Sequence, residues 1–153
     1  MQFIAVFSNS VLRVALSAWA LAQILKVPLH YLKNHTWDWS LLLRAGGMPS
    51  SHSALVAATA HGIGLYQGFD TPLFAVAFVL AVIVIYDATG VRRQAGKHAE
   101  RINAIIEDLR HGRPHWHETQ EQLKEVLGHT PVEAIAGAIL GIVVAQLGWF
   151  SGL

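Results

Sequence analysis

Leu73-Phe74-Ala75-Val76-Ala77-Phe78-Val79-Leu80-Ala81-Val82-Ile83-Val84-Ile85 carries no charge and is rich in β-branched side chains. A membrane-spanning helix needs about 20 mostly apolar residues. With Pro72 before it and Tyr86 after it, this stretch is the strongest membrane segment in the chain. The composition agrees. The chain has 153 residues, of which 53% are hydrophobic and only 14% charged, and its mean hydropathy is +0.40. A soluble domain carries about 25% charged residues. The expected fold is therefore all-α: one domain over residues 1–153, an integral membrane bundle with about four spanning helices and a cytoplasmic amphipathic segment.

Working back from Leu73, Gln67-Gly68-Phe69-Asp70-Thr71-Pro72 reads as a turn. Ser53 to Gly68 reads as a second apolar helix, short for a span and containing His61. Ahead of it stands Gly46-Gly47-Met48-Pro49-Ser50-Ser51-His52-Ser53-Ala54. Proline suits the first turn of a helix, where its missing N–H is unpaired anyway. Ser50 and Ser51 then sit at a helix N-terminus, where free N–H groups and the helix dipole favour an anion. His52 adds a group able to give or take a proton near neutral pH. Pro28 to Arg44 is polar and aromatic and reads as an interfacial loop, with Leu41 to Leu43 at or re-entering the membrane surface. Phe3 to Val27 holds another span, centred on Val11 to Val27.

Working forward, the Leu73 segment ends in Tyr86-Asp87-Ala88-Thr89-Gly90-Val91-Arg92-Arg93-Gln94-Ala95-Gly96. An amphipathic helix follows: Ile102, Ile105, Ile106 and Leu109 recur at helical spacing, with Glu100, Arg101, Glu107, Asp108 and Arg110 on the other face. Glu118 to Leu127 reads as a short polar helix. Gly128-His129-Thr130-Pro131-Val132-Glu133 opens the last apolar helix, which runs to about Phe150.

If the four apolar segments alternate in direction, residues 46–53, 86–93 and 128–133 fall on one membrane face. Ten of the cations, all but Arg13, belong to that face, among them Lys26, Lys33, Arg44, Lys97 and Arg101. The positive-inside rule then makes it cytoplasmic, with both termini outside. The expected location is an integral position in a bacterial inner membrane, with the site toward the cytoplasm.

Transfer of a phosphoryl group needs cations and N–H donors for its oxygens, a nucleophile, and an acid for the leaving oxygen. Arg92 and Arg93 suit bidentate phosphate contacts. His129 suits a nucleophile, with Glu133 one turn on to orient its ring. His52 suits the acid, and Ser50 with nearby N–H groups suits the phosphoryl oxygens.

These three motifs, in this order over nearly the whole chain, resemble the divergent branch of the type-2 phosphatidic acid phosphatase family. That branch comprises small membrane proteins related to acid phosphatases and vanadium-dependent haloperoxidases. The parent superfamily has a Pro-Ser-Gly-His motif, an arginine for phosphate, and a nucleophilic histidine followed four residues later by Asp. It forms a phosphohistidine and needs no metal. The resemblance implies that Pro49-Ser50-Ser51-His52 plays the first part, with Ser51 in place of Gly. His129 and Glu133 play the last, with Glu in place of Asp. The parent's Lys-x6-Arg-Pro motif is absent, and Lys26, Lys33 or Arg44 are the substitutes available. Arg92 stands six residues before His98, as in the parent, but Ile102 occupies the acidic position, so His129 is the preferred nucleophile. The expected site comprises His129, His52, Glu133 and Asp87 as catalytic residues, and Ser50, Ser51, Arg92, Arg93, Lys33 and Arg44 around the phosphate. No metal or cofactor is expected.

The implied activity is hydrolysis of a lipid phosphomonoester or diphosphate, for example phosphatidylglycerol phosphate, phosphatidic acid or an isoprenyl phosphate. The alternative is a non-catalytic phosphate-binding or transporter-like protein on the same scaffold. The expected partner is a lipid phosphate within the membrane. Net charge is only +1, which argues against nucleic acid. Asp87 serves equally as a structural ion-pair partner of Arg92 or Arg93. His61 is read as a satisfied buried histidine, and His111, His115 and His117 as a solvated loop. The Gly64/Gly68 and Gly137/Gly141 pairs are read as packing within the bundle, with a homodimer seam as the alternative.

Overall fold

A computed structural model describes residues 6–43, 46–112 and 128–153. The described residues are helical and contain no strand. After a short 3-10 turn, Val6–Ser8, come α1 (Ser10–Asn34), a 3-10 segment (Trp39–Leu42), α2 (Ser51–Gln67), α3 (Pro72–Thr89), α4 (Val91–Gly112) and α5 (Pro131–Phe150).

The distribution of side chains is that of a membrane bundle. The interior is built from small residues: Ala15, Ala18, Ala22, Ala54, Ala58 and Ala145 are essentially buried. The large apolar residues point outward, including Val76, Phe78, Ile83, Ile139 and Leu147. In water that arrangement would leave a large apolar surface exposed. In lipid it is favourable, because close backbone approach rather than apolar burial holds the helices together.

Three helices are long and apolar enough to cross a membrane: α1, the helix beginning at Pro72, and α5. The fourth expected span, α2, has 17 residues, or about 25 Å of helix against a hydrocarbon core of about 30 Å. It packs against α1, α3 and α5 and forms the centre of the bundle. Its alanines, glycines and serines make it less apolar than α3 and α5, as suits a helix that faces mostly protein.

The close approach is carried by Gly137 and Gly141. A Cβ at Gly137 would collide with the Ser50 carbonyl, and one at Gly141 with the Ala54 carbonyl. This glycine pair therefore packs α5 onto α2 inside the bundle. In the other pair, a side chain at Gly64 would strike the Phe69 ring, and Gly68 caps α2 with φ +106°.

Two boundaries differ from the sequence expectation. Helix α1 continues through Pro28 to Asn34, where a loop is expected. An internal proline removes one hydrogen bond and kinks a helix without having to end it. The end comes at His35, which adopts φ 55° while its N–H donates to the Tyr31 carbonyl. Helix α2 starts after Ser50, its N-cap, so Pro49 precedes the cap and is not in the first turn. The chain between them folds back along α1, where the Gln23 amide donates to the Leu42 carbonyl (2.9 Å). Tyr31, Trp37 and Trp39 stack in series on that side, as an interfacial aromatic cluster does. The polar helix expected over Glu118 to Leu127 lies outside the described residues.

Candidate functional site

The end of α3 and the starts of α2 and α5 converge, as alternating directions require. Two backbone bonds tie them. The Ser50 N–H donates to the Glu133 carbonyl (3.0 Å), and the His129 N–H donates to the Ala88 carbonyl (2.9 Å). Gly128, at φ +94°, supplies a backbone that favours glycine just before His129.

Thr130 caps α5 in a reciprocal box. Its hydroxyl accepts from the Glu133 N–H (3.3 Å), and its own N–H donates to Glu133 Oε2 (3.0 Å). The same Oε2 lies 3.3 Å from His129 Nδ1. With the proton on Nδ1, that nitrogen donates to the carboxylate and Nε2 keeps its lone pair. The cap thus fixes the carboxylate, and the carboxylate fixes the imidazole. His129 is 4% exposed. Burial holds its pKa below the ordinary value of 6.5. The hydrogen bond and charge of Glu133 oppose that shift, while Lys26 and His52 reinforce it. The His52 ring lies 6.4 Å from the His129 ring, centroid to centroid, tilted by 58°. It is exposed where His129 is buried.

The remaining expected residues divide. Ser50 is fully buried, and its hydroxyl accepts from the Ser53 N–H (3.3 Å) and the Ser53 hydroxyl (3.1 Å), so it is engaged in capping α2. Ser51 is buried in the first turn of α2. Asp87 is half-buried in the last turn of α3, one residue before the carbonyl that holds His129. Arg92 and Arg93 fall in the first turn of α4. Arg44, His115 and His117 lie outside the described residues.

Lys33 is exposed at the end of α1. The cation that α1 brings to the site is Lys26, about two turns earlier. It is only 2% exposed and interacts electrostatically with both Glu133 and His129. Its presence among the three candidate substitutes was visible in sequence, but its depth was not. The missed residue is Thr130, whose signal was present: Thr followed three residues later by Glu is the pattern of a capping box. His98 lies exposed on α4, which meets only α3 among the described elements. His61 is satisfied by Gln146 Oε1 (3.0 Å) within the bundle, as expected.

The arrangement brings together an oriented imidazole, a second imidazole within a phosphoryl group's reach, a buried ammonium and a helix N-terminus. Comparison with known proteins identifies the family. The pattern of the "Divergent PAP2 family" matches residues 7–144. The "uncharacterized membrane protein YuiD" of Bacillus subtilis (strain 168) is 42% identical over 145 residues, covering 90% of this chain and 92% of its own. No solved structure matches. The match spans all three motifs and every helix that meets at the site, and the chain belongs to the divergent PAP2 family.

Proposed function

We propose that the protein is a lipid-phosphate phosphatase working at the membrane surface through a phosphohistidine. The observation that carries this reading is the His129–Glu133 pair facing His52. Nε2 of His129 attacks phosphorus, and the bond to the lipid oxygen breaks. His52, protonated, gives its proton to the departing alkoxide. Water then enters, loses a proton to His52 and attacks phosphorus. Inorganic phosphate leaves and His129 is regenerated. Glu133 holds the Nδ1 proton and offsets the positive charge on the phosphorylated ring. Lys26, with Arg92 and Arg93 in the adjoining turn, neutralises phosphoryl oxygens as charge shifts onto the leaving group.

The substrate is a membrane lipid with a terminal phosphate, because the site sits at the ends of spanning helices, where a lipid headgroup lies. The cation-rich side of the bundle supports a cytoplasmic orientation, and the bacterial relative supports a bacterial membrane.

One observation favours a second reading, a phosphate-binding protein without turnover. The Glu133 carboxylate is already accounted for by the capping box. A panel of lipid phosphates given to the purified protein separates the two. Release of inorganic phosphate, lost in both His52→Ala and His129→Ala, supports the phosphatase. Saturable binding with no release supports the second reading.

A further inference from the structure

Helix α4 leaves the end of a span and carries an apolar seam along its length. Val91, Ala95, His98, Ile102, Ile105 and Leu109 follow one another at four- and three-residue steps, so they share one face, apolar except for His98. Val91 is 64% exposed, Ile102 45%, Ile105 58% and Leu109 48%. Another face of the same helix is covered, since Gly96 and Ala99 are buried and Asn103 and Ile106 half-buried. The open seam is thus a property of one face and not of the whole helix. Lys97, Glu100, Arg101 and Glu107 occupy positions away from it and are exposed.

The position of the boundary between lipid and water identifies what meets this seam. Tyr86, 73% exposed, stands one turn before the break at Gly90, and tyrosine collects at membrane interfaces. The stacked Tyr31, Trp37 and Trp39 mark the same side of the bundle. The seam begins at Val91, one residue past the break, and so starts at the bilayer surface. Gly90 has φ −99° and ψ −87°, outside the helical range, so regular helix geometry is interrupted between α3 and α4. An apolar stripe backed by charged residues is the pattern of a helix lying in the interfacial plane.

We propose that the exposed seam of α4 docks on the lipid surface beside the site, with Ile102, Ile105 and Leu109 inserted among the acyl chains. The helix is then a float that holds the end of α3, and the Ala88 carbonyl bound to His129, at a set depth. This inference does not depend on the protein being a phosphatase.

The chain contains no cysteine, so single cysteines can be introduced without a background. Spin labels at Ile102→Cys, Ile105→Cys, Leu109→Cys, Glu100→Cys, Arg101→Cys and Glu107→Cys would be read in the full-length protein in phosphatidylcholine–phosphatidylglycerol vesicles. Collision with oxygen reports lipid, and collision with a water-soluble nickel chelate reports water. The ratio is expected to be several-fold higher at Ile102, Ile105 and Leu109 than at Glu100, Arg101 and Glu107, oscillating with the helical period. Equal nickel access on both faces would overturn the proposal. So would protection of the seam from both reagents, which would mark a protein surface. Protection that disappears as the protein is diluted in lipid would assign that surface to a second copy.

Discussion

His129 carries opposing demands on its proton. Burial disfavours the imidazolium, while Glu133 favours it, and burial prevails. A lowered pKa keeps the ring neutral, as a nucleophile must be, down to more acidic pH than an ordinary histidine. The acid limb of kcat/KM is therefore expected below pH 6.5. The same shift bears on stability. The unfolded chain binds this proton more readily, so the stabilising contribution is complete above the ordinary value and declines as pH falls below it. Glu133→Gln removes the carboxylate that raises the pKa, so it should move the acid limb to still lower pH. It should also lower turnover by about 10²- to 10⁴-fold, with a smaller change in KM. His98→Ala should leave most activity, because His98 lies on α4, which meets only α3 among the described elements. Sequence paired His129 with Glu133 by their four-residue spacing; His129 in fact precedes the cap of α5, and it is the capping box that holds the Glu133 carboxylate beside its ring. It placed Ser50 at a helix start but assigned its hydroxyl to a phosphate, and the structure shows that hydroxyl within a cap. It placed Lys33 and Arg44, and not Lys26, around the phosphate, because which cation of α1 is buried depends on the side of the helix that faces the bundle.

At Gly137 and Gly141, helix α5 approaches the backbone of α2 directly. Gly137→Ala should force the Ser50 carbonyl aside and Gly141→Ala the Ala54 carbonyl. Each is expected to cost about 1–3 kcal/mol, read as a lower thermal midpoint in detergent. Gly62→Ala is the comparison. Its nearest new neighbour is a Val14 methyl at 3.3 Å, and a side chain yields more readily than a carbonyl. Thr130→Ala removes the cap and should cost about 1 kcal/mol, with a further loss of activity because the Glu133 carboxylate loses one side of its box. The element types followed from hydrophobic runs and helical spacing. The bounds of α1 did not, because Pro28 looked like a terminator and the helix ran through it. The central place of α2 was hidden too, since a short helix wrapped by others and a short span look alike in composition.

Taken as a whole, the molecule gathers its chemistry at one end. Lys26, His52, Asp87 and His129 sit there, while Ser8 and Ser151 flank the opposite ends of α1 and α5. Cysteines at Ser8 and Ser151 should react with an impermeant reagent from the same side, and one at Lys33 from the other. A cytoplasmic site predicts that Lys33→Cys labels only after the cell membrane is opened. This convergence of helix ends was readable from alternating directions, because polar motifs interrupted the apolar runs at every second boundary. The depth of each residue was not, since depth comes from packing. The phosphatase reading stands or falls on one covalent intermediate. The folded protein would be mixed with a phosphorus-32-labelled lipid phosphate, quenched during turnover, and the labelled residue mapped under conditions that preserve phosphohistidine. The expected result is acid-labile label on His129, absent from His129→Ala. Label on His98, or phosphate release that persists in His129→Ala, would contradict the assignment.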